Sequence, residues 1–230
     1  MTRTGQRRRM LITAGPTHEP IDAVRFIGNR SSGRLGSALA SEAAARGWDV
    51  TLLMGPVGVP TTATPDQSTS IDSKISMFRF RTAADLQGLL REHVAGADVL
   101  VMAAAVADWR PDIAANSKIK KSTDRVVPLI KLVENPDILA ILAQSAQRPR
   151  LVIGFAAETD DVVQNAIAKR TRKGADWIIA NDVSGDVMGG EKNRVHLISE
   201  AGVEDWPEMT KGEVGQQLAA RIAQTLKGAA

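Results

Sequence analysis

The chain has 230 residues and a formal net charge of +3, with a sequence pI near 9.4, and contains no Cys and no Tyr. Without Cys there is no disulfide, no thiolate nucleophile and no Cys-ligated zinc, and without Tyr there is no Tyr-Lys pair of the short-chain dehydrogenase kind. Aromatics make up 3% of the chain and offer few stacking platforms for nucleic acid, so the basic excess suits small anionic ligands.

Residues 6–9, "QRRR", read as a solvated lead-in, and 1–9 as a tail or linker. "RMLITAG" (9–15) predicts a buried first strand ending at Gly-Pro. "PTHEPIDAVRFIGNRSS" follows as a long polar loop, a length at which loops are often functional. "GRLGSALASEAAARG" (33–47) predicts a helix, with Ser31 or Ser32 as N-cap and Gly47 as stop. "WDVTLLMGP" and "ISMFRFR" are the second and third strands. "TAADLQGLLREHVAG" is an amphipathic helix capped by Thr82, and "DVLVMAAAV" (98–106) is a fourth strand, covered on both faces. The alternation then breaks: "ADWRPDIAANSKIKKSTD" is irregular and "RVVPLIKLVEN" extended. It resumes with "NPDILAILAQSA" (helix), "RLVIGFAAE" (strand), "DVVQNAIAKRTRKG" (helix) and "ADWIIAND" (strand), then a terminal hairpin beginning at "NRVHLIS" and a closing helix.

Strands alternating with helices predict a mainly parallel, Rossmann-like α/β sheet flanked by helices, here with an irregular insert after the fourth strand, as one domain over 10–230. No apolar run reaches membrane-spanning length and no secretory h-region stands at the N-terminus, so the expected location is the cytoplasm, without a membrane partner. His18, His93 and His196 are isolated and read as surface or loop residues rather than metal ligands.

Ligands of such sheets bind beyond the carboxyl ends of the strands. "AGPT", "MGPVG", "AAVADW", "GFAAET" and "ANDV" all lie at expected strand ends and together suggest a crevice of backbone and small side chains. "SSGRLG" at a helix start reads both as a phosphate site and as a close helix–sheet packing device through Gly33 and Gly36. "KIKK" (118–121) reads either as a solvated charge run or as a phosphate-binding loop, and Asp108 either as a loop cap or as an Mg²⁺ ligand. Lys169 and Lys173, four apart on a helix, are either favourable charge at its C-terminus or a two-pronged anion clamp.

Taken together, "ITAGPTHEPIDAVRFIGNRSSGRLG", "AAVADWRP", "KIKK", "ENPDIL", "GFAAET" and "AKRTRKGADWIIAND" resemble the phosphopantothenate–cysteine ligase family of coenzyme A biosynthesis, of the bacterial CTP-using type, over residues 10–226. The resemblance implies an acid–amino-acid ligase. CTP and 4′-phosphopantothenate form an acyl-cytidylate and pyrophosphate; the amine of L-cysteine then displaces CMP to give 4′-phosphopantothenoylcysteine. It implies Mg²⁺ with CTP as co-substrate, no flavin in this chain, a homodimer in which "RVVPLIKLVEN" could pair across the interface, and a separate or fused decarboxylase. Carried over by motif, the CTP-binding positions are Ser31, Gly33, Ala104, Ala105, Asp108, Lys118, Pro136, Asp137, Ile138, Leu139, Phe155, Lys169 and Lys173, with Asp108 also toward Mg²⁺. Arg25, Asn29 and Ala105 face phosphopantothenate, and Asn29 and Lys118 are the catalytic pair. In this reading Asn29 donates its amide N–H to the acyl oxygen, Arg25 holds the substrate phosphate and Phe155 packs on base or ribose. Backbone near Ala104 and Ala105 reads the cytosine edge. Trp109 departs from the Tyr or Phe of many relatives and keeps an aromatic ring.

Two rivals stand beside it. An NAD(P)-dependent oxidoreductase requires GxGxxG directly after the first strand and an acidic residue ending the second; the strands here end "AGPTHEP" and "LLMGP". A non-catalytic regulatory homologue leaves Asn29, Lys118 and Lys169 together without a reason.

Overall fold

The computed structural model describes residues 7–57, 69–72, 74–121, 127–183 and 192–228. In chain order its elements are β1 (Arg9–Ala14), β2 (His18–Pro20), β3 (Phe26–Gly28), α1 (Arg34–Ala45), β4 (Asp49–Met54), β5 (Thr69–Asp72), β6 (Ile75–Arg79), α2 (Ala83–His93), β7 (Val99–Met102), β8 (Trp109–Pro111), β9 (Leu132–Glu134), α3 (Ile138–Ala143), β10 (Leu151–Glu158), α4 (Val162–Lys173), β11 (Trp177–Asp182), β12 (Lys192–Asn193), β13 (Val195–Ser199), β14 (Gly202–Asp205), β15 (Met209–Thr210) and α5 (Lys211–Gly228). None of the described helices is long and apolar enough to cross a membrane.

Nine strands form one sheet in the order β14-β13-β11-β10-β7-β1-β4-β6-β5. The six from β11 to β6 run parallel; β13, β14 and β5 join antiparallel. The chain therefore winds outward from β1 in both directions, through β4 and β6 one way and β7, β10 and β11 the other. The point where it reverses, between β1 and β7, opens a crevice at the carboxyl ends of the strands.

Side-chain alternation divides the core between the two faces. Met10, Ile12 and Ala14 of β1 pack with Leu39 and Ala43 of α1 and Leu218 and Ile222 of α5. Leu11 faces the other way, among Leu86 and Leu90 of α2, Leu142 of α3 and Ala166 of α4. Gly36 is obligatory in the first layer: a Cβ there would stand 2.5 Å from Ala14 Cβ, so α1 lies directly on β1.

Several boundaries differ from the sequence reading. The fourth strand stops at Met102 instead of Val106, because the chain beyond it turns to bond with the loop after β1. The long loop holds a hairpin of its own, with His18 paired to Gly28 and Glu19 to Ile27. "RVVPLIKLVEN" contributes β9, which pairs within the chain to β8; its first two residues lie outside the described set. Strand β5 has no counterpart in the expected elements. Thr82 caps α2 as expected, in a reciprocal box: its hydroxyl accepts from Asp85 N–H at 3.1 Å, and Asp85 Oδ2 accepts from Thr82 N–H at 2.9 Å. The histidines sit on elements rather than loops. His18 is on β2, stacked on Phe26; His93 ends α2 against Phe78; and His196, on β13, bonds Asp205 at 2.6 Å.

Candidate functional site

The four buried polar residues of the described set all fall between residues 13 and 22: Thr13, Thr17, Glu19 and Asp22. Burial without a partner would be costly. Each instead accepts a hydrogen bond from the backbone of a distant segment. Thr13 Oγ1 takes Ala104 N–H at 3.1 Å and Thr17 Oγ1 takes Ala107 N–H at 2.9 Å. Glu19 Oε1 takes Ala83 N–H at 2.8 Å and Asp22 Oδ2 takes Ile119 N–H at 3.1 Å. The end of β1 and the loop after it are thus a spine to which the start of α2 and the chain beyond β7 are fastened. Sequence reasoning missed all four as site-builders. The only signal was Asp22 in "IDAVR", an Asp placed to cap the turn that follows it.

The crevice itself is a cleft of about 1100 Å³. One wall is residues 28–36 and 102–109; the other is 134–139, 155–159, Lys169 and Lys173. On the first wall Asn29 Nδ2 donates to Val106 C=O at 3.0 Å, which aims the exposed amide along the cleft. Neither Ser31 nor Ser32 caps α1. The cap is Gly33, left-handed at φ 67°, with no side-chain bond, while Ser31 Oγ accepts from Gly33 N–H at 3.4 Å. The first turn of α1 therefore keeps its N–H groups directed at the cleft, the arrangement that attracts anions.

The second wall carries charge. Lys173 Nζ pairs with Asp137, whose carboxylate also caps α3 by accepting from Ala140 N–H at 3.1 Å. The expected two-pronged clamp is therefore split: Lys173 already has a partner. Lys169 is half-buried, and burial lowers its ammonium pKa below the usual lysine range; Glu158 and Asp108 nearby act against that shift, while Lys173 and Arg172 add to it. Phe155 lines the cleft and packs on the core as well.

The ladder between β7 and β10 ends at Gly154 and Met102, whereas β10 continues to Glu158 along β11. Leu151 N–H donates to Asp98 C=O, so odd-numbered residues of β10 face the β7 side. Beyond Met102 this alternation turns the C=O of Phe155 and the N–H of Ala157 toward the cleft. The Ala104 and Ala105 N–H groups are taken by Thr13 Oγ1 and Gly15 C=O, so backbone that reads a base near Ala104 and Phe155 comes from other groups.

Of the residues singled out from sequence, Asn29, Ser31, Gly33, Ala104, Ala105, Asp108, Pro136, Asp137, Ile138, Leu139, Phe155, Lys169 and Lys173 line this one cleft. Arg25 and Lys118 do not. Arg25 bonds Asp22 through Nε and Nη2, and Nη2 also donates to Ile119 C=O at 2.8 Å, while the side chain stays 47% exposed. Asn135, absent from the sequence reading, ties the second wall to the first by donating from Nδ2 to Ala107 C=O at 2.9 Å. No cluster of three or more metal-ligating side chains occurs among the described residues.

Residues 5–226 match the family model described as DNA/pantothenate metabolism flavoprotein C-terminal domain. The chain is 41% identical over 212 residues to the coenzyme A biosynthesis bifunctional protein CoaBC of Escherichia coli strain K12, covering 91% of this chain and 50% of that protein. It is 41% identical over 218 residues to a cysteine/cysteine sulfinic acid decarboxylase of an unknown prokaryotic organism, covering 94% and 58%. The crystal structure of the C-terminal domain of a CoaBC protein superposes with TM-score 0.77 at 33% identity, covering 97% of each chain. The chain spans about half the length of the curated relatives it matches.

Proposed function

This chain belongs to the DNA/pantothenate metabolism flavoprotein C-terminal domain family, and from that premise we propose that it is a phosphopantothenate–cysteine ligase. It activates the carboxylate of 4′-phosphopantothenate with CTP, releasing pyrophosphate, and transfers the acyl group from the cytidylate to the amine of L-cysteine, releasing CMP. The observation that carries this reading is the cleft at the switch point. It brings an uncapped helix N-terminus, a side-chain amide and a half-buried lysine onto one volume of about 1100 Å³. That volume exceeds the usual span for one drug-sized ligand and suits two.

A carboxylate is a poor acyl donor, and this chain has no Cys for an enzyme thioester, so nucleotide activation supplies the leaving group. The first turn of α1 and Lys169 hold the nucleotide phosphates from opposite walls. Phe155 packs against base or ribose. The Phe155 C=O and Ala157 N–H form an acceptor and a donor on one strand edge, which matches N4 and N3 of cytosine. Adenine offers a similar order, so the choice of CTP rests on the family resemblance. Asn29 donates to the acyl oxygen as it gains charge under attack by the amine. Asp108, an exposed carboxylate lining the cleft, fits one protein ligand of an Mg²⁺ otherwise held by phosphates and water. Bound there, the ion would offset phosphate charge.

The exposed apolar side chains of Val127, Leu129 and Leu132 beside the β8–β9 pair favour a homodimer through that insert. A decarboxylase partner, separate or fused, and a cytoplasmic setting are what the family resemblance implies. The test is pyrophosphate release with 4′-phosphopantothenate in place of buffer, comparing CTP with ATP, followed by cysteine-dependent CMP release. Release with CTP that needs the acid and precedes cysteine supports the reading; equal turnover with ATP moves the chain to an ATP-using ligase, and no release with either nucleotide removes it.

A further inference from the structure

The Asp22 side chain is 0% exposed, and its carboxylate meets five donor contacts. Oδ1 accepts from Val24 N–H at 2.9 Å and Arg25 N–H at 2.8 Å, closing the turn of the hairpin. Oδ2 accepts from Arg25 Nε at 2.9 Å, Arg25 Nη2 at 2.5 Å and Ile119 N–H at 3.1 Å. Arg25 Nη2 also donates to Ile119 C=O at 2.8 Å. The ion pair therefore grips both backbone groups of one residue in the distant insert, and that residue lies between Lys118 and Lys120. Ala115 N–H donates to Ile21 C=O at 2.9 Å and fastens the same segment four residues earlier.

A turn alone would need only Oδ1. The second oxygen is committed to a contact 97 residues away, and the Arg25 hydrogen bonds hold the carboxyl far below the ordinary carboxylate range. A buried charge of this kind is tolerated only when fully paired. The pairing here sets the position of the lysine-rich segment relative to the hairpin, whose last strand leads directly into Asn29.

We propose that Asp22 is a positioning residue. It presses the Arg25 guanidinium onto Ile119 and so fixes the segment carrying Lys118 for nucleotide activation. The proposal rests on the ligase reading and on the role in CTP activation that the family resemblance implies for Lys118, which itself lies outside the lining of the cleft. An Asn at position 22 has one acceptor oxygen and an NH₂ that faces donors, so it cannot keep both the turn and the Ile119 contacts.

The test is a double-mutant cycle on single-turnover pyrophosphate release with Asp22→Asn, Lys118→Gln and the double variant. Asp22→Asn should slow release about tenfold or more, as expected for losing hydrogen bonds to a charged group. In the Lys118→Gln background it should add less than about twofold, because it acts through that lysine. Conversion of preformed acyl-cytidylate by cysteine should stay at the wild-type rate. Multiplying effects in the double variant, or equal slowing of both half-reactions, would overturn the proposal. If Asp22→Asn does not fold, Arg25→Lys is taken through the same cycle: it keeps a cation beside Asp22 but loses the fork that reaches Ile119, and the same two outcomes decide. Amide hydrogen exchange on the apo chain separates this proposal from the ligase reading. Faster exchange at 115–121 in the variant supports the latch even if the wild type turns over no CTP, and unchanged exchange there refutes it.

Discussion

The two walls of the cleft are built on opposite plans. The wall of 28–36 and 102–109 presents backbone and small side chains alongside Arg30, Arg34, Asp108 and Trp109, and its backbone is held by Thr13, Thr17 and the contact of Gly36 with Ala14. The wall of 134–139, 155–159 and α4 is open strand edge and charge, with Asp137 and Lys173 joined and Lys169 half-buried. The first can only work if nothing moves; the second can re-pair its charges when a ligand arrives. Displacing the backbone of the first wall should therefore spread to every step, whereas removing a charge from the second should be confined to nucleotide binding.

The sharpest way to break that contrast is Gly36→Ala. Its methyl would sit 2.5 Å from Ala14 Cβ, so α1 must shift off β1. Overpacking of this kind costs about 1–3 kcal/mol, and a displaced helix start should cost about 10²-fold in both half-reactions. Thermal unfolding and single-turnover rates check it; a variant with wild-type rates would mean that the first wall is not rigid.

Lys169→Met should weaken nucleotide binding about tenfold by loss of a charged hydrogen bond, with little effect on cysteine attack. It should also raise the melting temperature of the apo chain at neutral pH, an advantage that fades as the pH rises to the ordinary lysine value. Burial lowers the pKa of Lys169. Between that lowered value and the ordinary lysine value, the unfolded chain binds more protons than the folded one, so wild-type stability rises with pH across the window; below it the desolvation cost is fully present. The Met variant should lose that rise. A bound phosphate restores the ammonium, so calorimetry in buffers of different ionisation heat should show proton uptake on nucleotide binding to the wild type in the same window.

Lys173→Met should be the mildest, within about threefold in nucleotide binding, because its ammonium is already committed to Asp137. A loss as large as that of Lys169→Met would show that the pair opens to meet the ligand.

Much of this architecture was legible in the sequence where one physical signal dominates. Apolar runs placed β1, β4 and β10, and Thr82 announced the cap of α2. The cleft was legible as a set of turn-rich strand ends, because binding follows strand polarity. What was not legible depends on distant partners. Ser31 looks like a cap, yet Gly33 takes that place because α1 must start with a left-handed residue against Met54 and Val57. Arg25 reads as a phosphate ligand, and its ion pair with Asp22 was not legible beside that role. Strand β7 is shorter than its apolar run because its ladder with β10 ends at Met102 and Ala104 N–H turns to the Thr13 side chain. No local pattern reports a hydrogen bond between residues some 90 apart.

The central claim is that one cleft performs two chemically distinct steps, with Asn29 serving the second. Quenched reactions of Asn29→Asp with CTP, Mg²⁺, 4′-phosphopantothenate and cysteine, followed by mass spectrometry, test it most directly. An ionised Asp accepts hydrogen bonds but donates none to a developing oxyanion. The account predicts one equivalent of pyrophosphate, accumulated acyl-cytidylate and almost no cysteine adduct; adduct formed at the wild-type rate with no intermediate would contradict it.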